Sequence, residues 1–563
     1  MLIMAYDIKK SFSILILLLA STLLITPFLF NHAMIIGSDA IFHFNRFYDT
    51  AMQIKHCDFQ YFISIYGFQS SGRIVNALYG PLMAYAQGLL VLLSPSWFVY
   101  QMLSNAILYF CAGLSLYLLL KKARIGDQYS LPLSIFYMTC YSIQYWTIRQ
   151  GFSSWGAALM PVCFIPLIDL VENKKLSTIK TAVAVAAMAQ VHMLSAFLLV
   201  FVYICFFSSI FFNQSRMIKL KLIKQVGMSV LVCTALVANL IYCFIAVDGY
   251  NDIAQPFTNK YMWRMTVFTG SSYWLVYPPV LILAIVFFVW QMTKMWHKSA
   301  LLLRVTEITA FICFTLSTNI FPWRLFSNSV FSFIQFPFRF FIPFTVLLLL
   351  AVGLMLQNNA YISWSFYSVI IIVMAASLCQ TMMSSNNTLN VWHRSTKYLN
   401  GQVHTRINSD DNSQVKQSFF KKDKSKALQY IVKSTPDYLP IDSNNKKSKY
   451  ELYQSLILNN QQNFRKSVKD HKLFLNWCGD YQKKVQLPII KYKNTVMILN
   501  HTSISKHMTQ FSAINTPIIT QKKGPNQLVV YYQHDWFLYP ILLFTFMSWS
   551  VVFIVYQKTW HSN

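Results

Sequence analysis

A polytopic bundle of membrane helices, with about twelve spans and a small extracytoplasmic β-rich domain before the last of them, is the mainly α fold class predicted by this sequence. Three observations carry the prediction. Of 563 residues, 55% are hydrophobic and only 12% are charged, roughly half the charge of a soluble globular chain. Apolar runs long enough, or nearly long enough, to cross a bilayer recur up to position 383. Between 384 and 533 the composition turns polar, and one more apolar run follows.

The elements follow in order. Lys9 and Lys10 precede an apolar run from Phe12 to Phe30, which is longer than a signal-peptide core and reads as the first span. Residues 31–79 form a polar-aromatic outer loop. The run Pro81–Leu93 is short for a span, and its assignment decides the topology. If residues 80–94 lie in the outer interface as an amphipathic helix, the basic cluster Lys121, Lys122, Arg124 after Trp97–Leu120 faces the cytoplasm. The later clusters Lys174–Lys175, Arg216–Lys224 and Lys294–Lys298 then do the same, as short-loop charge bias requires. The remaining spans are expected near Leu131–Tyr145, Phe152–Leu170, Ile179–Leu194, Ala196–Phe212, Val226–Val247, Tyr273–Met292, Leu301–Ser317, Phe341–Leu356, Ile362–Cys379 and Trp536–Tyr556. Three regions result: a membrane module over 1–383, an extracytoplasmic domain over 384–533, and a last span with a short cytoplasmic tail over 534–563. Both termini are expected inside a plasma membrane.

The outer domain shows little periodicity to about Asn463. After that, Val485–Tyr492, Thr495–Leu499, Asn515–Thr520 and Gln527–Tyr532 read as strands, being β-branched and aromatic and separated by turn formers such as Gly524-Pro525-Asn526. A small β-sandwich-like fold is expected. The formal charge is +28, and about half of it falls in this domain. That suits anionic headgroups or polyanionic wall polymers, or simply a solvated surface; no nucleic-acid partner is expected. The ten cysteines are mostly inside apolar runs, and only Cys57 and Cys478 fall in outer segments, so neither a disulfide framework nor a metal knuckle is indicated. The sequons at Asn386 and Asn500 are read as coincidental.

Acidic residues outside the outer domain are sparse, and Asp39 stands out by position, just beyond the first span in GSDAIFHFNR. On a helix beginning there, His43 at i+4 and Arg46 at i+7 share its face. A carboxylate beside imidazole and guanidinium suits a general base or the orientation of a phosphate-bearing substrate. An N-cap aspartate with an i,i+4 partner is the plainer alternative. Arg73, Arg149, His192, Lys260, Arg264, Arg324 and Arg339 are expected at the same outer level. There they either ring a lipid-linked phosphate or snorkel to headgroups. FPWR, ending at Arg324, and QFPFR, ending at Arg339, place arginine behind proline and interfacial aromatics.

Taken in order, four segments resemble the GT-C superfamily of membrane glycosyltransferases. They are most similar to the YfhO-like proteins of Gram-positive bacteria and the group labelled 6-pyruvoyl-tetrahydropterin-synthase-related membrane proteins. GSDAIFHFNR stands where that superfamily places its acidic residue. YGPLMAYAQGLL (Tyr79 to Leu90) resembles its juxtamembrane helix, QFPFR a motif opening a late helix, and DYLP (Asp437 to Pro440) the corresponding outer region. The resemblance implies transfer of a sugar from a polyprenyl-phosphate carrier to an acceptor on the outer face of the membrane, either an envelope polymer such as teichoic acid or a glycolipid. Asp39 would be the base, and His43, Arg46, Arg73, Arg149, Arg324 and Arg339 would contact substrate. In RQGFSSWGAAL (Arg149 to Leu159) the glutamate that related sequences carry after the arginine is absent, so no second acid is expected there. One carboxylate with a histidine makes a poor metal site, so no cofactor is expected, with a divalent ion left open. The rival readings are a transporter or flippase of lipid-linked saccharides, which would place ionisable groups near the midplane, and a non-catalytic envelope assembly protein.

Overall fold

The computed structural model describes residues 2–254, 261–268, 277–327, 329–358, 364–394, 398–399, 402–441, 448–504 and 509–561. The chain opens with α1 (Leu2–Asn31), α2 (Ala40–His56), α3 (Pro81–Leu93) and α4 (Trp97–Lys122). There follow α5 (Asp127–Thr139), α6 (Tyr141–Arg149), α7 (Ser153–Cys163), α8 (Ile165–Asn173), α9 (Thr178–Val191) and α10 (Met193–Phe211). The helical module continues through α11 (Arg216–Leu236), α12 (Ala238–Asp248), α13 (Leu281–Met295), α14 (Leu301–Ser317), α15 (Phe341–Asn358) and α16 (Trp364–His393).

Among the described residues, seven helical stretches are long and apolar enough to cross a membrane, or eight if α11 and α12 form one bent span. α15 lies at the centre, with 94% of its apolar window buried, whereas α16 and α20 (Leu538–His561), at 17% and 11%, line the rim. Several apolar runs are broken where the sequence suggests continuity. The run over Leu131–Tyr145 divides at Cys140, which leaves the helical region (φ −65°, ψ 147°). The Tyr141 amide freed there donates to the Tyr277 carbonyl at 3.1 Å. α11 and α12 bend by 65° at Val237. The Leu236 carbonyl beside this break accepts from the Trp549 indole at 3.0 Å and from the Gln190 amide at 3.3 Å. A break at membrane depth survives when distant side chains satisfy the exposed backbone groups, and a local apolar pattern carries no sign of such partners. Part of the expected span Tyr273–Met292 lies outside the described residues. α16 runs beyond its apolar run to His393, because Leu389 and Trp392 on its last turns are buried.

α3 has 13 residues, about 20 Å of helix, too short to cross a hydrocarbon core. It lies against α2, where Gly88 faces Thr50 so closely that a Cβ would fall 2.2 Å from the hydroxyl, and that hydroxyl donates to the Ala84 carbonyl at 2.8 Å.

The region after α16 contains β1 (Thr405–Ile407), α17 (Asn412–Ser418), α18 (Ser425–Tyr430), β2 (Ile431–Lys433) and α19 (Lys449–Tyr453). Beyond them lie β3 (Arg465–Lys469), β4 (Lys472–Gly479), β5 (Lys483–Gln486), β6 (Thr495–Leu499), β7 (Thr502–Ser503), β8 (Gln510–Phe511), β9 (Pro517–Gln521) and β10 (Gly524–Tyr532). β1 pairs with β2; a five-stranded sheet has the order β3-β4-β10-β6-β7, and a three-stranded sheet the order β5-β9-β8. The strand pairs in these sheets are all antiparallel. The β3–β4 hairpin is additional to the four expected strands. Its turn is Asp470-His471, both at positive φ, so it has the two-residue left-handed geometry without the Asn-Gly or Asp-Gly that advertises it. The expected strand Val485–Tyr492 stops at Gln486, ahead of Pro488. Beyond it the chain docks on the loop between α2 and α3, where the Ile490 amide donates to Ser71 O at 2.8 Å.

That docking is extensive. Leu473, Leu475, Trp477 and Val530 of the five-stranded sheet share one apolar core with Phe62, Ile63, Ile65 and Ile74 of the loop between α2 and α3 and Cys243 and Val247 of α12. The β-rich domain is thereby fixed to the helical module by burial, not carried on a flexible tether.

Candidate functional site

The site starts with the stretch between α1 and α2. Residues 33–37 run extended and are held from two helices. Gln101 on α4 donates to Ile35 O at 2.7 Å, and the Oε1 of Gln150, just after α6, accepts from Gly37 N at 2.6 Å. From the outer region, Leu399 makes a parallel bridge to Ile36, and Gln402 donates to Gly37 O. Glycine is required at 37, since a Cβ there would fall 2.3 Å from Arg149 Cα. The chain then turns, the Asp39 amide donates to Arg149 O at 3.0 Å, and α2 begins at Ala40.

Asp39 occupies the N-cap position, but its side chain makes no capping hydrogen bond. The plainer reading, a carboxylate used to start a helix, therefore does not describe it. The residue keeps partial exposure. Burial pushes its pKa up to about 6, opposed by the positive charges of Lys433 and Arg339 and reinforced by the negative charge of Asp437. Asp437 is itself raised by burial and lowered by Arg73, Lys449 and Lys433; Lys433 is lowered by burial and held up by both carboxylates. Tyr79 feels Arg46, Arg339, Asp39 and Asp437. Asp39, Tyr79, Arg339, Lys433, Asp437 and Tyr438 are all half-buried. Two carboxyls, two cations and two phenols from four separated stretches of chain thus lie within electrostatic reach of one another.

The other predicted site residues divide sharply. His43 and Arg46 turn inward from Asp39 and bond each other, Nη1 to Nδ1 at 3.2 Å. Arg46 is fully buried, donates to Asn76 Oδ1 at 3.1 Å and to Tyr79 O, and lies over the Tyr79 ring at 4.4 Å. Burial lowers its pKa to about 10, still protonated at neutral pH. Burial and the Arg46 charge push His43 well below its ordinary value, and His192 is buried, its Nδ1 paired with Ser195 Oγ at 2.8 Å. Arg73 is also fully buried, donating to Thr435 Oγ1 and Asp437 O, each at 2.7 Å, between the rings of Phe68 and Tyr453. It clamps the Asp437 turn in place. Arg149 meets Asp39 through its backbone carbonyl. Arg339 donates to Ile334 O at 3.2 Å and is the predicted arginine whose charge acts on Asp39. Arg324 is exposed, stacked 4.2 Å from the Trp263 ring, and is not among the charges acting on Asp39. Lys260 lies outside the described residues.

Lys433, Asp437, Tyr79 and Tyr438 were not among the site residues expected from sequence. Asp437 and Tyr438 open DYLP and Tyr79 opens YGPLMAYAQGLL, so a signal was present, attached to resemblance and not to chemistry. Lys433, one lysine in a lysine-rich domain, carried none. A cavity of about 540 Å³ lies beside Asp39 and not over it, between residues 34–36 and the C-terminal half of α16. Among the described residues, no group of three or more His, Cys, Asp or Glu is arranged to hold a metal ion.

Fold and site together define a helical membrane protein with a compact polar site where its helices meet an attached β-rich domain. No family model, no curated protein and no solved structure matches the chain.

Proposed function

We propose that the protein is a GT-C-like glycosyltransferase that takes a sugar from a polyprenyl-phosphate carrier and delivers it to an envelope polymer or glycolipid. In this reading the chain crosses the plasma membrane about twelve times, with both termini cytoplasmic, α3 in the outer interface and the β-rich domain outside. The observation that carries the reading is Asp39, a half-exposed carboxyl with no capping role, shifted to about 6 and flanked by Arg339 and Lys433.

The ionised Asp39 accepts the proton of the acceptor hydroxyl. The acceptor oxygen forms a bond to the anomeric carbon as the bond from that carbon to the carrier phosphate oxygen breaks. The electron pair of that bond leaves on the lipid phosphate, and the charge growing there is met by Arg339 and Lys433 in a partly desolvated crevice, where fixed charges act most strongly. A pKa near 6 leaves Asp39 ionised at neutral pH yet more basic than a free carboxyl, which suits a general base. Asp437 holds Lys433 between two negative groups. Arg46 and Arg73 act through the structure, as buried supports for the Tyr79 and Asp437 backbones.

The test compares envelope polymer composition in a gene-deletion strain complemented with wild type, Asp39→Asn or Arg324→Ala. Loss of the glycosyl group with Asp39→Asn but not with Arg324→Ala is expected. Full glycosylation by Asp39→Asn at normal protein level rules the enzyme out.

One observation favours the transporter reading. Glu307 on α14 is fully buried, and neither carboxylate oxygen has a hydrogen-bond partner among the described residues. An unpartnered carboxyl within an apolar helix is a usual mark of ion coupling. Proton-gradient-dependent flux of a lipid-linked saccharide into proteoliposomes, abolished by Glu307→Gln and retained by Asp39→Asn, would establish it.

A further inference from the structure

The cavity beside Asp39 differs from the site in chemical character. One wall is apolar, formed by Met34, Ile35 and Ile36, the stretch that leads into the Asp39 turn. The facing wall is the C-terminal part of α16, where Gln380, Ser384 and Asn387 recur at helical spacing, and Tyr277 and Tyr398 complete the polar lining. None of its lining residues carries a formal charge, although cations crowd the site a few residues away. Its volume, about 540 Å³, falls within the roughly 300–1,000 Å³ usual for small-molecule sites. Its level is fixed by the end of α1, where Asn31 Nδ2 donates to Asn386 Oδ1 at 2.7 Å and His393 Nε2 pairs with Asn31 O at 3.0 Å.

We infer that this cavity binds a neutral saccharide headgroup, placing its hydroxyls against Gln380, Ser384 and Asn387 and its less polar face against residues 34–36. The amide and hydroxyl groups match a polyol in hydrogen-bonding capacity. An anion would be desolvated there without a cation to meet it. Because the cavity ends at Ile36, three residues before Asp39, the inference deepens the proposed function: the pocket would hold the acceptor, while Arg339 and Lys433 hold the donor phosphate. It rests on that reading only for the word acceptor; the binding stands or falls separately.

The test uses full-length protein in phosphatidylcholine nanodiscs and counts retained lipid by native mass spectrometry. Diglucosyl-diacylglycerol is the lipid-linked probe, maltose the free one and phosphatidylglycerol the charged control. Wild type is expected to retain diglucosyl-diacylglycerol at least tenfold over phosphatidylglycerol. Asn387→Leu, at an exposed position, and Met383→Trp, which fills the mouth, each lose it about tenfold, and Asp39→Asn retains it. Competition by millimolar maltose makes the sugar sufficient for recognition; no competition places part of the recognition in the lipid tails. Equal retention of phosphatidylglycerol, or undiminished binding by both cavity variants, overturns the inference. Loss of transfer in Asp39→Asn with unchanged glycolipid binding in the cavity variants removes this pocket and leaves the enzyme. Selective binding with no transfer by any variant does the reverse.

Discussion

Asp39 and Asp49 are two aspartates on the same outer segment, one at the start of α2 and one within it, and burial raises both to about 6. Their surroundings differ. Asp49 is 1% exposed, and its carboxylate accepts from Tyr66 N at 2.8 Å, Gly67 N at 2.9 Å and Gln53 Nε2 at 2.8 Å. It is the knot that ties the first outer loop to α2, and it has little acceptor capacity left. Asp39 is half-exposed and faces side-chain cations instead of backbone amides. The same pKa shift therefore accompanies two different jobs. Whether the carboxyl is already satisfied, not how far it is shifted, separates construction from chemistry.

The comparison breaks first on activity. Asp39→Asn is expected to lower glycosyl transfer by about 10²–10⁴-fold, the usual contribution of a positioned general base, with little change in thermal stability. An unfolded or unstable Asp39→Asn protein would make the two aspartates alike and remove the distinction. Next comes stability. Asp49→Ala leaves the Tyr66 and Gly67 amides unpaired in a buried place, at about 1–3 kcal/mol each, and is expected to lower the melting temperature and loosen the 60–74 loop to proteolysis. Asp49→Asn, which keeps one acceptor oxygen, costs less.

Proton linkage sharpens the comparison further. Both folded-state values lie above the unfolded 3.8, so the folded protein holds these protons to higher pH. Their contribution to stability is present below 3.8 and is lost as pH rises through about 6. On the proposed mechanism, in which Asp39 acts ionised, transfer has the opposite slope and is expected to climb through pH 6 to a plateau. Lys433→Met removes a cation that lowers Asp39. The ascending limb should move to higher pH and the plateau fall by about tenfold, whereas a purely structural Lys433 would leave the limb in place. The smallest expected effect belongs to Arg324→Ala, whose exposed side chain should be replaceable with less than twofold change in transfer.

The arginines show why the site was only partly legible. In the sequence, Arg46, Arg73 and Arg339 look alike, each an outer cation near aromatics. Arg46 and Arg73 end fully buried and spend donors on structural partners, each holding one backbone carbonyl, while Arg339 keeps its charge near Asp39. Helical spacing placed His43 and Arg46 on the Asp39 side of α2, but packing against Tyr79 and Phe152 draws both inward. Likewise β6 could be read from its own alternation, but β3 and β4 are joined by a turn whose residues do not announce it.

Composition alone determined that this chain belongs in a bilayer. Length of apolar runs, scarcity of charge and the polar stretch after residue 383 are one-dimensional properties, and transfer free energy acts on them run by run. Asp39, the first acidic residue beyond the first span, was visible for the same reason. What only the tertiary structure decided is which charges share a place. Lys433 and Asp437 lie some four hundred positions from Asp39, and they meet it because the outer domain buries its apolar face on the first loop. Local sequence cannot encode that encounter, since the burial that drives it is formed jointly by two distant surfaces.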